Sequence, residues 1–242
     1  MERDFALHIL KKVKEDYDRL AREYSETRLF PWKDILFLKE WVKDGDRVLD
    51  LGCGNGRLLE LFKDMNIKYV GLDISEELLN IARSRYTGPN VSFVLSDALD
   101  IPFDEHSFDA VYAIALLHHI PSASFRLKIL NGVRRVLKRD GIFVATVWNL
   151  WQKRYIKHIL STPWLKILGR TGLDFKDVFI PWKKRDGSVV QRYCHAFTRG
   201  ELQKLAEQAG FSIKEVSFTL RDGKKSNIYL VALKRVGSEF SE

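Results

Sequence analysis

Cysteine is scarce: Cys53 and Cys194 are the two in 242 residues. That excludes a disulfide framework and leaves no set of residues with metal-ligand spacing, so no metal is expected and a reducing cytoplasm suits the chain. Apolar runs long enough to cross a bilayer are also lacking, because charge interrupts each one first. No basic-then-apolar leader opens the sequence, so secretion is not expected. What remains is a globular composition. The hydrophobic fraction is 45%, and the length suits one α/β domain with helices on both faces of a sheet.

Charge is unevenly spread. Residues 1–150 carry 22 Lys/Arg against 23 Asp/Glu, whereas residues 151–192 carry 10 against 3. Nearly all of the chain's net charge of +8 therefore sits in one stretch. A polyanion that touches this protein is expected to touch it there, unless the stretch is simply a solvated basic face.

The apolar pattern alternates between short runs and helical periods. Phe5, Ile9, Val13, Tyr17, Leu20 and Tyr24 mark a helix over 4–24. Pro31 precedes a second helix predicted over 32–42. Strands are predicted at 47–51, 69–73, 91–95, 108–116 and 141–147, with helices between them starting at Arg57, after the N-cap Ser75, and after Ser122 or Ser124. Five strands alternating with helices predict a parallel sheet with right-handed crossovers. The rhythm breaks at Trp148. Residues 149–192 read as an insertion with one or two short helices and a loop. Thr198 then caps a helix ending at Gly210, and strands 212–220 and 227–234 flank the turn Arg221-Asp-Gly-Lys-Lys225. The fold expected is a doubly wound, Rossmann-like α/β sheet of seven strands with an antiparallel last strand. The domain reading is a single unit over 1–242, with 1–44 as a helical lid and 149–197 as a basic, aromatic, substrate-binding insertion.

The chemistry concentrates at strand ends. Asp50, Gly52, Gly54 and Gly56 follow the first strand, Asp73 ends the second, and Asp97 with Ala98 follows the third. Glycines there keep the turn tight and let a ligand approach the backbone. Asp73 can accept hydrogen bonds from both hydroxyls of a ribose, and Asp97 can receive an adenine amino group. Asp50 is a poor neighbour for a pyrophosphate but suits a cationic chain, which favours S-adenosyl-L-methionine over a dinucleotide.

Val48-Leu-Asp-Leu-Gly-Cys-Gly-Asn-Gly56 resembles the first motif of class I methyltransferases. The resemblance implies that Asp50 and the glycine turn hold the methionine part, Asp73 and Ile74 the ribose, and Asp97-Ala98 the adenine. A closer likeness is carried by Tyr24-Ser-Glu-Thr-Arg28, by Ala113-Ile-Ala-Leu-Leu-His-His-Ile120, and by Arg192-Tyr-Cys-His-Ala-Phe-Thr-Arg-Gly-Glu-Leu202. Val147-Trp148 and Ile180-Pro-Trp182 add to it. Together these are similar to the tRNA wobble-uridine methyltransferases, the Trm9-type enzymes and the methyltransferase part of AlkB homologue 8. That family implies methyl esterification of 5-carboxymethyluridine at anticodon position 34, tRNA as partner, and a small zinc-binding activator of the Trm112 type. Arg28 and Arg192 could then hold a carboxylate or phosphate through paired donors. His118 or His119 would orient the uracil, and Trp148 or Tyr17 would wall or stack on it. Tyr24, Thr27, Tyr193 and His195 complete the candidate substrate residues.

The sequence also departs from the family. Cys194 stands where a tyrosine is usual, Asn149 where a small residue is usual, and Asn227-Ile228 where an Asn-Trp pair is common. Trp148 and one of the histidines also read as simple core, and the insertion reads equally as a lid over a small acid. A small-molecule carboxyl or quinone-type methyltransferase is the alternative function.

Overall fold

The computed structural model describes residues 1–234; the end of the 1–242 domain reading, residues 235–242, lies outside them. Seven strands form the main sheet: β1 (Arg47–Leu51), β2 (Lys68–Asp73), β3 (Val91–Leu95), β4 (Phe108–Ile114), β5 (Leu137–Trp148), β8 (Phe211–Arg221) and β9 (Lys224–Lys234). Their spatial order is β3-β2-β1-β4-β5-β9-β8. The first five pair in parallel, while β9 runs antiparallel to both β5 and β8. The last strand therefore does not form the edge; it slots between β5 and β8.

Alternation along the strands fills two cores. Leu49, Val111 and Phe143 face the layer of α3 (Ala123–Val136) and α5 (Arg199–Gln208), packing with Ile129 and Leu202. Val48, Ala110 and Val144 face the other way, toward Ile35 and Leu61. The helical segments expected there are both 3-10 turns, Lys33–Trp41 and Arg57–Phe62. Helix α2 (Glu76–Arg85) begins as expected: the Ser75 hydroxyl accepts from the Leu78 N–H, and Glu76 and Glu77 sit at the positive end of the helix dipole.

Helix α1 (Arg3–Thr27) lies across the carboxyl side of the sheet and touches α2 and the insertion. The insertion corrects the sequence reading. It holds one helix, as expected, α4 (Lys153–Ile167), but an antiparallel hairpin of β6 (Asp177–Lys183) and β7 (Val189–His195) stands where a loop was expected. The turn Asp186-Gly187 is its tip, with Gly187 at a φ of +84°. Pro181 cannot donate to a ladder, but it is tolerated here because β6 has a free edge. Leu150, Ile159, Val178, Ile180 and Cys194 give the insertion its own small core.

A buried polar chain ties the hairpin to α5. His195 Nδ1 lies 2.6 Å from Asp177, and its Nε2 lies 2.7 Å from Glu201, which also pairs with Lys176 at 2.8 Å. Burial alone would raise the Glu201 carboxyl, but the His195 hydrogen bond and the charges of His195 and Lys176 outweigh it and hold the group at about 2. A depressed acid stabilises the fold above its unfolded value, and the gain is lost as pH falls through the folded one. Stability should thus decline between about pH 5 and pH 2. Glu201→Gln is expected to flatten that decline and to cost about 1–2 kcal/mol at neutral pH, as measured by urea unfolding across the range.

Candidate functional site

The site is built where β1, β2, β4 and β5 end together. Gly52, Gly54 and Gly56 all have positive φ, so the chain after β1 turns back sharply enough to bare its backbone. A Cβ on Gly52 would lie 2.8 Å from Leu116 Cδ1, which leaves no room for another residue. The Gly54 N–H donates to Asp73 Oδ2 at 2.8 Å, and the Ser75 N–H donates to Oδ1 at 2.9 Å. Asp73 is thereby fixed at the end of β2 and aimed into a cleft of about 980 Å³, counting the part open to solvent.

One end of this cleft carries Asp73, Ile74, Asp97 and Ala98. Asp97 anchors its own turn by accepting from the Leu99 N–H at 2.8 Å. Two carboxylates on apolar walls suit the hydroxyls of a ribose and the amino group of a purine. Gly52 and Gly54 line the middle. These features fit the nucleoside and methionine parts of S-adenosylmethionine. Asp50 and Gly56 do not line the cleft. Asp50 is buried behind the turn, where Tyr69 donates to it at 2.6 Å and burial pushes its carboxyl up to about 7. It borders a smaller adjoining cavity together with Arg57. Gly56 packs against Tyr86 and Phe93.

The other end is aromatic and cationic. Tyr17 and His119 line it, linked by a hydrogen bond of 2.8 Å between the phenol and Nε2. His119 Nδ1 sits 2.8 Å from the Tyr193 carbonyl, which can only accept, so Nδ1 carries the proton and Tyr17 donates to Nε2. Burial holds His119 down at about 3 and pushes the Tyr17 phenol up. Both are neutral at physiological pH, and neither has a free proton-accepting nitrogen or phenolate. His118 lies behind, stacked at 4.8 Å on Trp148, whose backbone N–H points at Nδ1 from 3.4 Å. It does not line the cleft. His118, His119 and Cys194 bring their ligating atoms within 4.8 Å of one another. As arranged, both His119 nitrogens are engaged and burial pushes the Cys194 thiol up to about 12, while His118 Nε2 has no hydrogen-bond partner.

Arg192 dominates the aromatic end. It is buried, with its guanidinium 4.8 Å from the Trp148 ring and 4.7 Å from the Trp182 ring. Its Nε has no hydrogen-bond partner, and it forms no ion pair with any described residue. Arg28 stands nearby, over Trp182 at 5.5 Å and Tyr24 at 6.0 Å. Burial lowers the Arg28 pKa, and the charges of Arg57 and Arg192 push it the same way. Two cations that repel each other thus share one wall. Beyond that wall opens a second, polar cavity, bordered by Arg28, Arg154, Lys183, Arg192 and Arg221 and, among the described residues, by no acidic one. Of these cations Arg221 is paired, to Asp34 at 2.7 Å.

Besides Asp50, Gly56 and His118, three more sequence candidates line neither of these two cavities. The Thr27 hydroxyl is spent on the carbonyls of Glu23 and Tyr24 at the end of α1. Tyr193 is fully buried and contributes its carbonyl. His195 belongs to the chain that ties the hairpin to α5. Conversely, Trp182, Trp32, Arg154, Lys183, Arg221 and Asn227 border the cavities without having been singled out as site residues. Trp182 lies in the quoted Ile180-Pro-Trp182 motif, but only the hairpin aims it inward. Its indole N–H is held by Glu23 of α1 at 3.1 Å, and Glu23 also accepts from the Arg185 N–H.

Comparison with known proteins agrees with this geometry. A methyltransferase-domain family model matches residues 49–145. The chain is 31% identical over 225 residues to the tRNA (carboxymethyluridine(34)-5-O)-methyltransferase of Schizosaccharomyces pombe, covering 84% of this chain and 90% of that one. It is 29% identical to tRNA (carboxymethyluridine(34)-5-O)-methyltransferase alkbh8 of Xenopus tropicalis, covering 81% of this chain but 37% of that longer protein. Among solved structures, the complex of the Haloferax volcanii Trm112 methyltransferase activator with a methyltransferase matches with a TM-score of 0.64 and 20% identity, over 93% of this chain and 98% of that one. The cofactor-shaped cleft and the full-length likeness converge, and the chain belongs to the tRNA (carboxymethyluridine(34)-5-O)-methyltransferase family as an S-adenosylmethionine-dependent methyltransferase.

Proposed function

We propose that this protein methylates the carboxylate of 5-carboxymethyluridine at position 34 of tRNA, giving the methyl ester. The observation that supports this most is Arg192: a buried cation without a counter-charge, set in the wall between the cofactor cleft and the basic outer cavity. A buried charge is costly unless it is paired. A substrate carboxylate supplies the missing partner at the boundary where a nucleophile must stand.

The remaining residues suit an ester-forming transfer. S-adenosylmethionine supplies an electrophilic methyl group on a sulfonium. The carboxylate oxygen forms the new bond to the methyl carbon while the carbon–sulfur bond breaks, and that electron pair stays on sulfur. No proton needs to be removed, which matches a neutral His119 and an un-ionised Tyr17. Their hydrogen bond stiffens the wall beside the reacting atoms, so the chain's work there is placement. Arg192 and Arg28 orient the carboxylate; Trp148 and Trp182 hold the Arg192 guanidinium in place and exclude water. Esterification removes the anionic charge, so Arg192 loses its partner and the product is held less tightly than the substrate.

The outer cavity and the basic insertion suit the phosphates of an anticodon loop. The likeness to a Trm112-bound methyltransferase supports a small activator partner, which would itself carry the zinc. The two buried thiols are free, in keeping with a reducing compartment such as the cytoplasm, and no helix among the described residues is long and apolar enough to cross a membrane.

The test is methyl transfer from labelled S-adenosylmethionine to tRNA bearing 5-carboxymethyluridine, against unmodified tRNA and free small acids, with and without a Trm112-type protein. A methyl ester at position 34 is the expected product; transfer to the small acids alone would instead support a small-molecule carboxyl methyltransferase. Arg192→Ala should lower kcat/KM on the modified tRNA by about 100-fold, with the cofactor Kd nearly unchanged. Arg192→Lys should recover little, because an ammonium neither stacks between indoles nor forks onto a carboxylate. Asp73→Ala should do the opposite and weaken cofactor binding by at least about tenfold, read by calorimetric titration.

A further inference from the structure

Among the polar side chains that border the outer cavity, Asn227 stands out. Asn227 lies on β9 directly opposite Trp148 on β5, at the carboxyl end of the sheet. It is 4% exposed and borders the outer cavity, not the cofactor cleft. Its backbone N–H is satisfied by the Thr219 hydroxyl at 3.1 Å, so the strand is secure without the side chain. The side-chain amide is a different matter: Nδ2 is buried and has no hydrogen-bond partner. Leaving such a donor unpaired costs about 1–3 kcal/mol, and buried amides are nearly always satisfied.

The neighbourhood narrows what could satisfy it. Trp148 and Trp182 wall the cavity on either side of Arg192, at the boundary with the cofactor cleft. A ligand whose carboxylate meets Arg192 and whose body extends into the outer cavity brings its far edge toward Asn227. A carboxamide donates through nitrogen and accepts through oxygen. Its complement is an edge that carries a carbonyl beside an N–H.

We propose that Asn227 is a specificity-determining residue that reads the imide edge of the pyrimidine, donating to a ring carbonyl and accepting from the ring N3–H. This rests on the carboxymethyluridine reading. It assigns the base-recognition role to the sheet, through β9, and leaves charge recognition to the hairpin, through Arg192.

A protein-by-substrate cycle tests it. The two substrates are an anticodon stem-loop RNA with 5-carboxymethyluridine and the same RNA with that base methylated at N3, which removes the donor and blocks the edge. Wild-type protein and Asn227→Ala are compared on both, with the isosteric Asn227→Asp as a second variant and cofactor Kd as the check on folding. For the wild type, N3-methylation should cut kcat/KM by about 10-fold to 100-fold. Asn227→Ala should lose a similar factor on the unmodified edge and then lose almost nothing more on N3-methylation. Asn227→Asp should also lose activity, since it cannot donate and its charge opposes the substrate carboxylate. A merely structural role would lower both RNAs by the same factor, and that outcome, or unchanged discrimination in Asn227→Ala, overturns the proposal while the esterification reading stands. If the wild type esterifies neither RNA, the reading of the substrate falls and the proposal with it.

Discussion

A guanidinium taken out of water and given no carboxylate is among the least favourable things a fold can hold, and much of this structure is arranged around one. Arg192 is tolerated because it is sandwiched. Indole faces are the strongest aromatic partners for a cation, and a guanidinium is less hydrated than an ammonium and therefore easier to strip of water. The sandwich requires contributions from distant parts of the chain. Trp148 ends β5, Trp182 stands on β6, and Arg192 itself is on β7, in register with Ile180. The small core beneath the hairpin, with Val178, Ile180 and Cys194, holds β6 and β7 at the height where these rings meet. The chain of Asp177, His195 and Glu201 pins the hairpin's base to α5.

The same arrangement explains why the neighbouring titratable groups are silent. A protonated His119 beside Arg192 would place two cations in a desolvated pocket, and burial together with that charge keeps it neutral. Its two hydrogen bonds then run in one direction, from Tyr17 through the ring to the Tyr193 carbonyl. A relay so committed has no acceptor left for a substrate proton. The chemistry is left to a nucleophile that arrives already ionised.

Much of this was legible in the sequence, for physical reasons. The glycines after β1, the acidic residues closing β2 and following β3, and the capped helices are local features, each dictated by backbone geometry within a few residues. What escaped was non-local. The β6–β7 hairpin pairs residues through a turn, and Pro181 interrupts the alternation of Val178, Ile180 and Trp182. Once that hairpin was read as a loop, nothing revealed that Trp182 faces inward or that Tyr193 and His195 face away. A strand sends successive side chains to opposite faces, so Arg192 and Tyr193, adjacent in sequence, part company. Asn227 was noticed only as part of a departure from the family pattern. Its setting depends on β9 inserting between β5 and β8, which no short window of sequence displays.

The grip of Glu23 on the hairpin has a consequence for traffic. Through Trp182 and Arg185 this one carboxylate fastens α1 to the hairpin across the site, and the exposed pair of Arg185 with Glu26 lies alongside. The bonds made by Arg185 are exposed, where water replaces them at little cost, and the Trp182 bond is part-buried. The buried sandwich is thus guarded by a latch of weak, solvent-exchangeable contacts. A bulky polynucleotide that loosens the C-terminal end of α1 from the hairpin tip disturbs this latch first, while Phe5, Ile9 and Val13 keep the other end of the helix packed against Phe179 and Tyr193.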